Sequence, residues 1–222
     1  RSDFMIDRDV FIAALSRNWS ALKYFNDDLR DDKELVLEAV SHDGRLLKYV
    51  SKRLCGNREV VLAAVKEYAY ALAYASTRLK GNREVVLAAV RQNGLELRHA
   101  SLKLNGDRDV VMEALNQNGD ALQYASKALK ADSEVVIAAV SQNWRALFYA
   151  NADLRADRVV VIAAVNQSLD VLEYASPVLR DDRAFMLAVV RKDWRALEFA
   201  SDELRQEIIE MGIAAVNKDQ EK

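Results

Sequence analysis

Apolar and polar residues alternate in this chain with a fixed long period. A charged or amide residue opens each cycle, a six-residue apolar run follows, and a polar break leads to a second, sparser apolar stripe. The cycle is twenty-five residues long and is written eight times without a gap, starting at Asp7, Asp32, Asn57, Asn82, Asp107, Asp132, Asp157 and Asp182. Residues 1–6 and 208–222 read as partial repeats at either end: Phe4 falls in the register of an invariant leucine, and Ile213-Ala214-Ala215-Val216 matches the apolar run of a ninth copy. A period in this range is the signature of stacked supersecondary units. The pattern predicts an all-α fold, an α-solenoid that forms a single domain over residues 1–222.

Within one copy, position 1 is always Asp or Asn, and position 3 is acidic in six copies, from Asp9 to Glu134. Such residues cap free N–H groups and suit the positive end of a helix. A first helix should therefore begin at position 2. Its apolar run at positions 4–9, Val60 to Val65 in copy three, carries paired alanines and predicts a helix buried on all sides between its neighbours. Position 8 is Ala in seven copies (Ala14, Ala39, Ala64, Ala89, Ala114, Ala139, Ala164) and Val189 in the last, which suits close helix approach. The recurring Asn-Gly at positions 12–13 (Asn93-Gly94, Asn118-Gly119) predicts a left-handed helix end. A second helix is expected over positions 13–20. Leucine is invariant at position 16 (Leu22 to Leu197) and at position 23 (Leu29 to Leu204), and Ser or Asn at position 20 is placed to cap a short closing turn. Such a hairpin cannot bury its apolar surface alone, so stacking is obligatory.

The string Arg-Glu-Val-Val-Leu-Ala-Ala-Val followed by Asn-Gly-x-x-Leu-x-Tyr-Ala-Ser, clearest over residues 58–76 and 83–101, resembles the repeat called Domain of Unknown Function 4116. The resemblance covers nearly the whole chain. It implies a place in large proteins of intracellular bacteria, secreted effectors included, and of some protists. It carries no established activity.

Charge changes the picture little: 32 Lys and Arg stand against 34 Asp and Glu, a net of −2, which gives no global attraction to nucleic acid or anionic lipid. No apolar run approaches the roughly 18 residues of a membrane span, no signal-peptide pattern opens the chain, and Arg1 begins partway through a repeat, so the chain reads as a fragment. Together with a lone cysteine, these features suggest a cytoplasmic protein, or one in host cytosol if secreted. Chemistry is sparse. His42 falls in a solvated slot, and His99 replaces a tyrosine as a packed aromatic. They lie too far apart to share a metal or a reaction. Cys55 stands at position 24, where most copies carry Lys or Arg, and reads as an inert surface thiol rather than a nucleophile. The recurrent acids are caps, and no Gly-rich phosphate loop exists. We therefore expect no enzyme, no cofactor and no metal.

Positions that vary between copies are exposed and free to encode recognition. Positions 14, 17 and 21 should share one face of the second helix and build a ladder. Residues 32–106 hold 13 Lys and Arg against 8 Asp and Glu, a net of +5, between acidic flanks. Lys48, Lys52, Arg53, Arg78, Arg98, Lys103 and Lys127 make this stretch basic. Tyr70, Leu95, Leu102 and Phe148 place large groups at usually polar sites, the residue types that anchor interfaces. These eleven residues are the candidate partner site. Trp19, Trp144 and Trp194 should pack on neighbouring copies. The expected role is a monomeric scaffold for a protein partner, a recognition arm of a larger bacterial protein. A structural spacer is one alternative. A nucleic-acid reader is another, disfavoured by the acidic members of the ladder.

Overall fold

The computed structural model describes residue 13 and residues 17–220; the side chains of 19, 20 and 213–220 are not described. The opening partial repeat with Phe4, the first cap at Asp7, Asp9 and Ala14 lie outside the described residues, as do the side chains of Trp19 and of Ile213 to Val216. Among the described residues every element is helical and none is a strand. The chain forms two compact units, Arg1–Ser126 and Lys127–Lys222.

Copies two to eight each open with the long helix that the cap foretells: Lys33–His42, Arg58–Glu67, Arg83–Val90, Arg108–Gln117, Ser133–Gln142, Arg158–Val165 and Arg183–Lys192. Asp32 Oδ1 accepts from the N–H groups of Glu34 (3.0 Å) and Leu35 (3.1 Å), and Asn57, Asp107, Asp132 and Asp157 repeat that pair of bonds. Asn82 and Asp182 cap through a single bond each. The helices are not buried all round. Positions 4, 5, 8 and 9, such as Val60, Val61, Ala64 and Val65, are fully buried, whereas positions 6 and 7, such as Leu62 and Ala63, stay half open. The apolar run is longer than the face the neighbours cover.

The second segment is a 3-10 helix rather than an α-helix: Gly44–Tyr49, Ala69–Tyr74, Gly94–His99, Gly119–Tyr124 and Trp144–Tyr149 are typical. Its geometry is set at position 12, which is extended. Asp43, Asn93, Asn118, Asn143 and Asp193 each accept the N–H of position 14 on the side chain. The N–H of position 15 then donates to the carbonyl of position 12, as from Glu96 to Asn93 at 3.0 Å, closing three-residue turns. Such turns rarely run long, and position 19 is again extended. Leucine 16 points inward and is fully buried in Leu22, Leu47, Leu72, Leu97, Leu122, Leu147 and Leu172. Each contributes about 1.5–3 kcal/mol by leaving water.

The glycines act differently from the expected left-handed ends. No described residue has a positive φ. A Cβ on Gly44 would lie 2.1 Å from the carbonyl oxygen of Ala64, and one on Gly94 would lie 2.1 Å from that of Ala114. Glycine at position 13 thus lets the 3-10 segment touch the backbone at position 8 of the next copy. Where position 13 carries a side chain, the junction changes. Gln92 donates to the carbonyls of Val65 (2.7 Å) and Lys66 (3.0 Å) across the Ala69 junction, and Gln167 does the same to Val140 (2.8 Å) and Ser141 (2.6 Å) beside Trp144.

A short helical turn closes each copy and brings the second leucine inward. Asn26, Ser51, Asn151 and Ser201 cap it as expected. Position 20 has a further role that periodicity did not disclose. Its N–H donates to the position-24 carbonyl of the preceding copy, as Ser51 to Arg30 (3.1 Å), Ser76 to Cys55 (2.9 Å), Ser101 to Lys80 (2.9 Å), Ser126 to Asn105 (2.8 Å), Asn151 to Lys130 (3.0 Å) and Ser176 to Arg155 (2.8 Å). After the last full copy no new cap intervenes, and Asp202–Gln220 runs as one continuous helix. Trp194 of copy eight is 76% exposed and Leu197 only half-buried, since no described copy packs over them.

Candidate interaction face

The charged side chains fall into two sets. At the start of the long helices, the basic residue of position 2 reaches the acid at position 1 or 3 of the next copy. Lys33 pairs with Glu59 (2.5 Å), Arg58 with Glu84, Arg83 with Asp109 (2.9 Å) and Asp107 (3.3 Å), Arg158 with Asp182, and Arg183 with Glu207 (2.6 Å). These pairs are exposed, so each is worth about 0–1 kcal/mol, but they neutralise that edge.

The 3-10 segments and closing turns present the other set. Lys48, Lys52, Arg98, Leu102, Lys103, Lys127 and Phe148 are exposed there, and Tyr70 and Leu95 are half-buried. Positions 14 and 17 share the 3-10 surface, whereas position 21 belongs to the closing turn, so the expected helical ladder is broken into two rows. Arg53 and Arg78 turn back into the stack. Arg53 Nε lies 2.8 Å from Asp31 Oδ2 and its Nη2 donates to the Asp31 carbonyl at 2.6 Å; Arg78 Nη2 donates to the Gly56 carbonyl at 2.6 Å. The hydroxyl of Ser51 and then Arg53 hold the Asp31 carboxyl below the usual carboxylate range.

Cys55 is half-buried rather than exposed. Its Sγ lies 3.6 Å from the Leu47 carbonyl and 3.7 Å from that of Val50, and burial pushes the thiol up. Arg205 occupies the same slot in copy eight and donates to the carbonyls of Leu197, Glu198 and Ala200. Position 24 thus reaches the carbonyls of the 3-10 segment in copies two and eight, whereas Arg30, Arg155 and Arg180 in the same column keep a buried Nε without a hydrogen bond.

In the first unit, aromatic rings gather beside Arg98. Tyr70 touches Tyr68 (5.9 Å between centroids), Tyr74 (5.7 Å) and the edge of His99 (5.2 Å), and the Arg98 guanidinium lies 5.2 Å from the Tyr70 ring centre. Beneath them sits Glu96, only 2% exposed, at position 15, where the other copies carry Ala, Leu or Val. Its Oε1 accepts from Asn93 Nδ2 (2.9 Å) and lies 3.5 Å from Arg98 Nη2, while its Oε2 is buried without a hydrogen bond. His99 Nε2, 3.6 Å from Oε2, already accepts from Arg98 Nε at 3.0 Å. Burial raises the Glu96 carboxyl above its ordinary value, against the pull of Arg98 and Asn93. Burial, and then Arg98 and Lys80, lower the His99 imidazole. His99 does pack as an aromatic, as expected. Glu96 escaped the sequence reading, although a single acid in an otherwise apolar column was its signal.

The second unit has its own aromatic group. Trp144 stacks on Tyr174 of the following copy (5.8 Å, 25°), which is the packing role expected of it, and the Arg145 guanidinium covers the Trp144 ring at 4.3 Å. Phe148, 57% exposed, meets the edges of Tyr149 (5.4 Å) and Tyr174 (5.7 Å). A groove of 520 Å³ lies beside Trp194, Leu197 and Arg205. Among the described residues no helix is long and apolar enough to cross a membrane, and no three acid, His or Cys side chains group as a metal site would require.

Four successive stretches, residues 7–55, 57–105, 107–155 and 157–205, match the family described as Domain of unknown function (DUF4116). The chain belongs to the DUF4116 family. Each DUF4116 match spans two of the twenty-five-residue copies, so the family unit is a pair of copies and this chain holds four such pairs. No curated protein and no solved structure matches the DUF4116 chain.

Proposed function

We propose that this DUF4116 chain is an α-solenoid scaffold that binds a protein partner on the face made by its 3-10 segments and closing turns. The copy-to-copy backbone rungs within each unit support stacking as the organising principle. One observation supports a partner site most directly. Residues that repeat are mostly buried or engaged with the next copy, whereas the columns that vary include large apolar and basic groups that stand out of the stack, among them Leu102, Phe148, Lys48 and Lys103. Leu102 is 88% exposed, Phe148 57% and Tyr68 40%. Water gains nothing from such groups, and interfaces are enriched in them. The scaffold carries no reaction of its own, and its place would be in the cytosol of a bacterium or of its host.

The test uses three baits in one cell extract: the wild-type chain, a Leu102→Asp variant and a Phe148→Asp variant, each shown by circular dichroism to melt like the wild type. A protein retained by the wild type and lost from either variant supports the scaffold. The same retained set on all three baits overturns it and leaves a spacer.

A further inference from the structure

In the first unit Lys33, Arg58 and Arg83 at position 2 are cancelled by the next copy, and Arg53 and Arg78 are used within the stack. Lys48 and Lys52 of copy two and Lys103 of copy four have no such counterpart among the described residues. Lys48 Nζ stands 4.6 Å above the ring of its neighbour Tyr49 and makes no ion pair among the described residues; the same holds for Lys52 and Lys103. Arg98 donates to His99 Nε2 (3.0 Å), lies over the Tyr70 ring, and has the Glu96 carboxylate, at 3.5 Å, as its one acidic partner among the described residues. An ammonium on an aromatic face is held outward at little entropic cost. Leu102, the most exposed large apolar side chain among the described residues, adjoins Lys103. Copy one, by contrast, ends this row with the exposed acids Asp27 and Asp28, of which Asp27 pairs with Arg30 at 2.6 Å.

From this, and resting on the scaffold reading, we infer that copies two to four bind an acidic peptide segment carrying one bulky apolar residue. Its carboxylates meet Lys48, Lys52, Arg98 and Lys103, its apolar side chain covers Leu102, and the acids of copy one repel it and so set where it stops. Complementary charge of this kind fixes register and speeds encounter, and it is lost with added salt.

The probe is a short fluorescein-labelled peptide of glutamates with one central leucine, read by fluorescence anisotropy at low salt against the full chain. Two double variants are compared with the wild type. Lys48→Glu/Lys103→Glu alters the face. Lys66→Glu/Arg91→Glu makes the same change in charge at the ends of two long helices in the same unit. We expect the face variant to weaken binding about tenfold or more and the control to stay within about threefold, with Leu102→Ala also weakened. Equal losses in both variants would mean bulk electrostatics and overturn the inference, as would no binding by the wild type. Tighter binding of a labelled oligothymidylate than of the peptide would overturn it in favour of a phosphate ligand. If the peptide fails while extract partners are still lost from Leu102→Asp, the acidic class is wrong and the scaffold stands. If both fail, the scaffold reading falls.

Discussion

Glu96→Gln should make this protein more stable. The carboxylate is 2% exposed, one oxygen has no hydrogen bond, and His99 Nε2, 3.6 Å from it, accepts from Arg98 and so donates nothing to it. A buried acceptor left unpaired costs about 1–3 kcal/mol. Glutamine keeps the shape and the bond from Asn93, and it removes the buried negative charge and the oxygen that has no donor. The gain should therefore recover that cost. For a chain of this size about 2–4 °C accompanies each kcal/mol, so the melting temperature should rise by about 2–12 °C. The sign with pH follows from the raised carboxyl. Protons bind this group more tightly in the folded chain, so the wild type is best placed below the unfolded carboxyl value and loses stability as pH rises through the raised folded value. The glutamine variant has no such loss. Its advantage is thus present near neutral pH and above, and it fades in acid. His99 works the other way, since a lowered imidazole loses stability as pH falls below its unfolded value, but both proteins share it. Thermal unfolding followed by far-UV ellipticity across a pH series decides the matter. A variant less stable than the wild type at about pH 8, or a difference that does not change with pH, would refute the reasoning.

Other outcomes follow from the junctions. Gly94→Ala sets a methyl 2.1 Å from a backbone oxygen that cannot rotate away, and should cost about 1–3 kcal/mol by overpacking, read as a lower urea midpoint; a neutral result would mean the approach is not needed. Ala114→Leu, at a fully buried site, should cost a similar amount of about 1–3 kcal/mol, while Leu102→Asp should change the midpoint by less than about 0.5 kcal/mol. Equal effects would dissolve the division between stack and surface. Cys55 should react with iodoacetamide at neutral pH about tenfold more slowly in the native chain than in urea, because its raised thiol lies against two carbonyls; equal rates would return it to the surface.

Much of this architecture could be read from residue types because each copy repeats the same local physics. Asp32, Asn57 and Asp107 could be recognised as caps since a short acceptor before an apolar run has few other uses. Leu47 and Leu72 marked the core because no other type fills their column. What stayed hidden depends on the neighbouring copy. Gly94 looks like a helix end, yet it answers to the Ala114 carbonyl across the junction. The tight turns of the second segment come from the extended residue at position 12, which propensity does not disclose. Arg53, Arg78 and Cys55 stand in columns that seem merely polar, and only the fold shows them bonding to carbonyls or to the preceding copy. Glu96 was visible in principle as one acid in an apolar column, but its burial beside Arg98 and His99 follows from the tight turn that brings these three side chains together.

The account rests on recognition by the 3-10 face and its closing turns rather than by the ion-paired edge of the long helices. The most direct measurement is photo-crosslinking in cells from a benzoylphenylalanine placed at Leu102 on that face, beside one placed at Val159, which is comparably exposed at the start of a long helix. A discrete protein adduct from position 102 and none from position 159 is the predicted result. Adducts from position 159 alone, or the same adducts from both, would contradict it.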